Sequence, residues 1–235
     1  MPTTVDEELF VGYGDSPKAV SDENGGAFIA ATYHSFYSSV RIQRISKDGD
    51  IIWNDPLILT GSKHQQELFD ADIISDGKGG MYLAYSDTYF IEYPHIGNGY
   101  LRVQHIDSTG NQLWSNYGVT LLAPADTTQP SGGAGGEYIS DGENGIIVAW
   151  LDYRNTSVIS DYGDNYIQRI DFDGNCLWDS GGVRISTKSR CSDPPRIVTD
   201  GNSGAVVYYF ESRSIYFQRV DRYGNKLWGE RGIQG

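Results

Sequence analysis

Acidic side chains gather in a few long segments whose sequences do not repeat, and they could carry out two kinds of chemistry. Asp87, Glu92 and Asp152 could in principle supply the carboxylate pair that hydrolyses a glycosidic bond. No spacing singles out two of them, and no nucleophile or base motif accompanies them. Asp152, Asp161 and Asp164 could offer hard oxygen ligands to calcium, although their spacing matches no calcium loop. The sequence therefore predicts no catalytic residue and leaves calcium as a possible ligand.

The same segments are rich in tyrosine, whose ring can both stack and hydrogen-bond on a recognition surface. The candidate ligand-binding residues are Tyr33, Tyr37, Tyr89, Tyr93, Tyr153 and Tyr162, together with Arg154. The alternative is that these rings pack over one end of the fold. If they are exposed instead, they predict a surface that binds protein or glycan.

A block of twelve residues recurs four times and must set the framework that positions these segments. The copies are IQRISKDGDIIW (42–53), VQHIDSTGNQLW (103–114), IQRIDFDGNCLW (167–178) and FQRVDRYGNKLW (217–228). In every copy a Gln lies ten residues before a Trp, and a Gly lies four residues before the same Trp. The Gln and Trp positions are Gln43, Gln104, Gln168, Gln218, Trp53, Trp114, Trp178 and Trp228. Because a position filled in every repeat is more often used for packing than for binding a ligand, we assign these residues a structural role.

Each repeat also carries an Asp-Gly-rich turn between two apolar runs, which is a strong hairpin signal. The turn residues are Asp22, Asp76, Asp141 and Asp200. The runs that follow, AFIAA, MYLAY, IIVAW and AVVYY, are apolar on both faces, as expected of strands buried between two layers. The fourth strand of each repeat is expected to open at the Leu-Trp pair (Ile-Trp in the first copy) that ends the twelve-residue block. Four strands per repeat predict an all-β fold, a β-propeller in which every repeat is a four-stranded antiparallel blade.

We predict a single propeller domain over residues 1–235, with blades at about 1–60, 61–125, 126–188 and 189–235. Four blades could close into a ring by themselves. Alternatively, they form part of a larger propeller or longer protein, and further sequence or self-association with a second copy covers the end blades. In either case the long connectors emerge on one face of the propeller, where we expect binding to occur.

The formal charge of −13, from 18 basic and 31 acidic residues, repels phosphate backbones and argues against nucleic acid as a partner. The sequence has no run of about 18 apolar residues, so we expect no membrane insertion. The first residues, MPTTVDEELF, lack the features of a signal peptide, which is typical of a cytosolic chain or of a mature or excised segment. Cys176 and Cys191 could form a disulfide or remain free thiols.

The blocks QRIDFDGNCLW (168–178) and SDGENGIIVAWLDYR (140–154) resemble the repeats of large secreted bacterial β-propeller surface proteins. A weaker, partial similarity links the turns to pyrroloquinoline-quinone-type propeller repeats, which place Trp four residues after the turn Gly. Those repeats have Thr before that Gly, and here only Thr109 matches. No cofactor is therefore predicted.

The resemblance to surface proteins implies a secreted or cell-surface adhesion module. From it we expect a non-catalytic extracellular module for binding or structural display, which contacts protein or glycan through the long loops. The alternative is a carbohydrate-processing propeller enzyme.

Overall fold

A computed structural model describes residues 12–34, 38–61, 66–91, 96–115, 117–122, 133–155, 162–186 and 191–235. Within these ranges the chain forms sixteen β-strands in four separate four-stranded sheets, and every pairing is antiparallel. Nowhere in the described ranges is there a helix that is long and apolar enough to cross a membrane.

Each sheet uses four consecutive strands in chain order, and we name the sheets blades 1 to 4. Blade 1 consists of β1 (Asp15–Ser21), β2 (Ala27–Tyr33), β3 (Ser39–Ile45) and β4 (Leu57–Thr60). Blade 2 consists of β5 (Gln66–Ser75), β6 (Met81–Ile91), β7 (Ile96–Ile106) and β8 (Val119–Leu122). Blade 3 consists of β9 (Gly133–Ser140), β10 (Ile146–Asp152), β11 (Asp164–Ile170) and β12 (Val183–Arg184). Blade 4 consists of β13 (Arg196–Thr199), β14 (Ala205–Glu211), β15 (Ser214–Val220) and β16 (Ile233–Gln234).

The turn between the first and second strands of each blade is built around the predicted Asp. In blade 3, Asp141 Oδ1 accepts hydrogen bonds from the backbone N–H groups of Glu143 and Gly145, both at 2.7 Å. Its second oxygen accepts a hydrogen bond from Arg169 Nε on the third strand, at 2.8 Å. The equivalent pairs in the other blades are Asp22 with Arg44, Asp76 with His105, and Asp200 with Arg219. The third strand thereby anchors the hairpin that precedes it.

The repeated Gln joins the third strand to the segment that carries the repeated Trp. Gln168 is 1% exposed; its Oε1 accepts hydrogen bonds from the backbone N–H groups of Arg169 (2.9 Å) and Trp178 (3.0 Å). Its Nε2 donates to the Asp179 carbonyl at 2.9 Å. Because these side-chain bonds hold the Trp segment, the fourth strand does not begin at Leu-Trp as the sequence suggested. It begins four or five residues later, as with Leu57 after Trp53.

The repeated Trp connects consecutive blades. The Trp53, Trp114 and Trp178 indole N–H groups donate to the carbonyls of Ser108 (3.3 Å), Phe172 (3.1 Å) and Arg222 (3.1 Å), respectively, each in the turn after the third strand of the next blade. The glycine of that turn lies against the ring: a Cβ on Gly224 would come within 2.9 Å of Trp178. Glycine is therefore required there both for its positive φ of 87° and for the close approach.

Three apolar clusters fill the spaces between blades 1 and 2, blades 2 and 3, and blades 3 and 4. The first strands pack side by side in the order β1, β5, β9 and β13. Face-to-face packing of four-stranded antiparallel sheets around an axis lined by first strands is the β-propeller arrangement. The predicted fold class, with four repeats as four blades, is confirmed.

Candidate functional site

The first strands of all four blades border one cavity of about 500 Å³. β1 contributes Lys18, β5 contributes Asp72, β9 contributes Glu137 and β13 contributes Arg196. Polar groups of Thr32, His34 and Tyr138 complete much of the remaining wall. We call this space the axial cavity. Its volume is in the range of sites that bind small molecules.

The four charged residues of the axial cavity occupy one and the same position of the repeat. Each lies four residues before the turn Asp, as Asp72 precedes Asp76 and Glu137 precedes Asp141. In the sheets each is also paired with the fourth residue of the second strand, as Asp72 is with Ala84 and Glu137 with Ala149. Equal register in every blade brings this position to the axis four times. The structural repeat therefore gathers four charges into one small space.

The charges form two ion pairs, each between neighbouring blades. Lys18 Nζ lies 3.6 Å from Asp72 Oδ2, with about half of each side chain exposed (48% and 40%). Arg196 Nη1 contacts Glu137 Oε1, and this hydrogen bond raises the pKa of Arg196 above its ordinary value. The Glu137 side chain is 29% exposed. Asp72 and Glu137 thus lie on adjacent blades and are partly exposed to water. Each is paired with a cation from the end blade next to it.

This arrangement can support acid–base chemistry on a bound molecule. Two carboxyl groups facing one cavity can act as a proton donor and as a nucleophile or base on opposite sides of a bond. Lys18 and Arg196 hold the carboxylates in place from the neighbouring first strands. His34 also borders the cavity and places its Nδ1 3.1 Å from the Ser38 hydroxyl.

Of the aromatic residues predicted to bind ligand, Tyr33, Tyr153 and Tyr162 are described with their side chains, and these three do not line the axial cavity. Tyr33 carries Arg41 over its ring at 3.8 Å, Tyr153 packs against the core between blades 3 and 4, and Tyr162 is 50% exposed. Tyr37 and Tyr93 lie outside the described residues, and Tyr89 is described only as a residue of β6. The assignment of these tyrosines to a binding surface stays a prediction.

Two of the three predicted calcium ligands do lie together. Asp152 and Asp164 are directly paired across β10 and β11, and both are fully buried. Asp152 accepts hydrogen bonds from Trp150 Nε1 at 3.0 Å and from Arg154 Nε at 2.7 Å. Arg184 Nη2 donates to Asp164 at 2.7 Å. The guanidinium groups of Arg154 and Arg184 therefore already neutralise both carboxylates. Arg154 is itself one of the predicted ligand-binding residues.

Asp161 lies outside the described residues. Across the part of the chain that the structure describes, no three His, Cys, Asp or Glu side chains are grouped so as to hold a metal ion. The calcium hypothesis stays a prediction.

Of the carboxylates first considered for glycoside chemistry, Asp87 and Asp152 do not line the axial cavity. Asp87 is the seventh residue of the second strand of blade 2 and is fully buried, and Arg102 Nε lies 3.3 Å from its Oδ2. Asp152 holds the same position in blade 3, and Glu92 lies outside the described residues. The two cysteines are free thiols: Cys176 is exposed and Cys191 is buried, which raises the pKa of Cys191 to about 12.

The sequence does carry a signal for the axial residues. Asp72 and Glu137 end two of the long connectors between blades, 61–72 and 123–137, in which binding was expected, but the signal is their position relative to the turn Asp. The fourth residue before each turn Asp is charged in all four repeats, whereas the three positions between it and the turn Asp are uncharged in every repeat. Alignment of the repeats on the turn Asp singles out Lys18, Asp72, Glu137 and Arg196.

No protein-family model matches the sequence, and no curated protein matches it. Among solved structures, the α-L-arabinofuranosidase from Lactobacillus brevis is similar with a TM-score of 0.54 and 10% identity, over 93% of this chain and 71% of that one. The sucrose-6-phosphate hydrolase from Lactobacillus gasseri is similar with a TM-score of 0.52 and 10% identity, over 89% of this chain and 46% of that one.

Both are similarities of fold. At 10% identity they establish a common architecture and no more, and the chain spans less than half the length of the second protein.

These similarities correct one expectation. The sequence predicts a non-catalytic binding or display module and no enzyme, partly because the repeats resemble those of surface proteins. That expectation is wrong: the two structures that share the fold over about nine-tenths of this chain are sugar hydrolases by name, and neither is a surface protein by name. The physical reason for the error is that the repeated blade motifs describe packing, whereas the charged axial residues are not part of those motifs.

Proposed function

We propose that this chain is a carbohydrate-processing propeller that hydrolyses glycosidic bonds in the axial cavity. The observation that carries the proposal is the placement of Asp72 and Glu137 on adjacent first strands, facing one water-accessible cavity. The similarity of fold to two sugar hydrolases supports it.

The reaction requires two carboxyl groups with different tasks. One, in its acid form, donates a proton to the oxygen of the leaving sugar as the glycosidic C–O bond breaks. The other either attacks the anomeric carbon or removes a proton from the water that does so. Asp72 and Glu137 supply this pair.

Lys18 and Arg196 would position these groups and bind substrate oxygens. Each cation contacts one carboxylate from the side of a neighbouring blade. A cation so placed can also donate hydrogen bonds to sugar hydroxyl groups. Glycan is the partner in this proposal. The extracellular or cell-surface location stays a prediction.

The test is hydrolysis by the purified chain of a panel that includes p-nitrophenyl α-L-arabinofuranoside and sucrose 6-phosphate, the substrates suggested by the names of the two similar proteins. For any substrate that is cleaved, Asp72→Asn and Glu137→Gln should each lower kcat/KM by about 10²–10⁴-fold. Asp55→Asn, an exposed carboxylate outside the cavity, is the matched control and should leave the rate unchanged.

Thermal unfolding separates catalysis from folding, since both axial carboxylates are partly exposed and their amides should change Tm by less than about 3 °C. Cleavage that survives the double variant D72N/E137Q would overturn the assignment of the site. Absence of cleavage across arabinosides, fructosides and other common glycosides would overturn the proposed function.

A further inference from the structure

Among the described residues, burial along the second strands shows that the end blades each leave one face uncovered. Residues 81–87 of β6 and all of β10 are buried on both faces, because blades 2 and 3 have a neighbour on each side. In β2 only alternate residues are buried: Phe28, Ala30 and Thr32. In β14 burial also alternates, but in the opposite phase, with Tyr208 39% and Phe210 44% exposed. Blades 1 and 4 therefore expose opposite faces of the repeat.

The uncovered face of blade 4 is a continuous apolar surface. Strand register pairs Phe210 with Ile215. It also pairs Phe217 with Tyr208 on one neighbouring strand and with Ile233 on the other. Ile215 is 38% exposed and Ile233 is 52% exposed. We call these residues, with Val198 on β13, the blade 4 end face. An exposed, contiguous group of large apolar side chains indicates a surface on which another protein segment packs.

The hydrogen-bond pattern identifies what kind of surface would cover it. Trp53, Trp114 and Trp178 each donate to a turn carbonyl of the blade that follows. Among the described residues Trp228 has no following blade, and no hydrogen bond from its indole N–H is found there. The corresponding carbonyl of blade 1, that of Lys47, is likewise not reached by any Trp in this part of the chain. One end of the array thus presents a donor and the other presents the matching acceptor.

The space between the two end blades is narrow. Lys18 of blade 1 and Arg196 of blade 4 border the same axial cavity of about 500 Å³. The first strands of blades 1 and 2, 2 and 3, and 3 and 4 pack together, whereas those of blades 1 and 4 do not pack to a similar extent within the described residues. A small axis combined with two uncovered faces favours a single blade as the occupant of the cleft between blades 4 and 1. A whole second copy would bring further blades into this space.

We propose that the cleft between blade 4 and blade 1 accepts one further four-stranded blade of the same repeat, joined to this polypeptide. The added blade carries an apolar middle strand on both faces, as β10 does. It offers a turn carbonyl to Trp228, and its own repeated Trp donates to the Lys47 carbonyl. Its first strand completes the wall of the axial cavity between Lys18 and Arg196. This mode of assembly does not depend on the proposed hydrolysis.

The experiment extends the chain after Gly235 with a second copy of residues 126–188, the repeat whose second strand is buried on both faces. Docking of the added blade should raise Tm on the order of 10 °C, because it covers several large apolar side chains. It should also lower binding of the dye 8-anilinonaphthalene-1-sulfonate, while light scattering shows a monomer. Phe210→Asp is the matched control: it should be tolerated in the parent chain and should abolish the rise in the extended one.

Two results would overturn the proposal. An extended chain with unchanged Tm, whose added segment is removed by limited proteolysis, would show that the cleft does not accept a blade. A parent chain that is a dimer by light scattering and becomes monomeric with F210D would show that a second copy covers the blade 4 end face. All of these readouts are independent of hydrolysis, so failure of the proposed function leaves them interpretable.

Discussion

Replacing Gln168 with Met should lower the free energy of unfolding by several kcal/mol without changing the fold. The side chain is 1% exposed and takes part in three hydrogen bonds, accepting from Arg169 N and Trp178 N and donating to the Asp179 carbonyl. Met has a similar length and fills the same space, but it can neither donate nor accept strongly. The substitution therefore isolates the polar contribution of these three hydrogen bonds.

The magnitude follows from the three backbone groups that lose their partner. A buried polar group left unsatisfied costs about 1–3 kcal/mol. Water can reach part of the Trp segment from its exposed side, since Leu177 is 43% exposed, so the lower half of that range applies to each group. The expected loss is about 3–6 kcal/mol, which is a large part of the total stability of an ordinary domain.

Urea denaturation followed by tryptophan fluorescence measures this loss. The transition midpoint should fall while the slope m stays the same, because the surface exposed on unfolding does not change. Gln234→Met is the matched control, since Gln234 lies at an exposed position on β16 and should change stability by less than about 0.5 kcal/mol. A loss for Q168M as small as that of Q234M would refute the reasoning and show that the backbone groups find other partners.

The other predictions concern the turn glycines and the turn aspartates. Gly224→Ala should destabilise more than Gly201→Ala: both residues have positive φ (87° and 78°), but only at Gly224 would the new Cβ meet a ring, that of Trp178 at 2.9 Å. We expect about 1 kcal/mol for G201A and about 2–4 kcal/mol for G224A, and equal losses in denaturant titrations would contradict the inter-blade packing of the tryptophan. Partial burial alone would raise the pKa of Asp200, but hydrogen bonds from backbone N–H groups and from Arg219 outweigh it and lower the pKa below the ordinary 3.8. A carboxyl group whose pKa is lower in the folded state contributes stability above its unfolded pKa and loses it as the pH falls, so stability should decline below about pH 4. D200N should be less stable than the parent at pH 7 and should show a shallower decline between about pH 4 and 2, whereas parallel curves would contradict the role of this carboxylate.

Much of the fold could be predicted because its determinants are local in sequence. The turn at Asp141 is closed by N–H groups two and four residues later, and Gln168 reaches the Trp segment ten and eleven residues later. Contacts over such short distances are readable as spacing in a repeat. The sequence placed the start of the fourth strand too early, at Leu-Trp. Spacing alone does not reveal that the Trp backbone N–H bonds the side chain of the repeated Gln instead of pairing with the third strand.

The site could not be found in the same way. Asp72 and Glu137 are 65 residues apart in the sequence. They border the same cavity only because the first strands of successive blades are arranged around a common axis. Asp152 and Asp164 were selected by proximity in sequence and do lie together, yet Arg154 and Arg184 occupy their carboxylates. Local spacing correctly predicted that these two aspartates are neighbours. It could not predict which arginines would neutralise their carboxylates.

The sequence by itself thus determined four blades, their hairpins and the role of the repeated Gln, Gly and Trp, since those features depend on bonds formed within a repeat or copied in every repeat. The tertiary structure alone decided that four charges converge on one cavity and that blades 1 and 4 keep uncovered faces. Both depend on the rotation between blades, which is set by side chains packed in the three inter-blade cores. Those interfaces act together, so no single repeat records the convergence of the four charges.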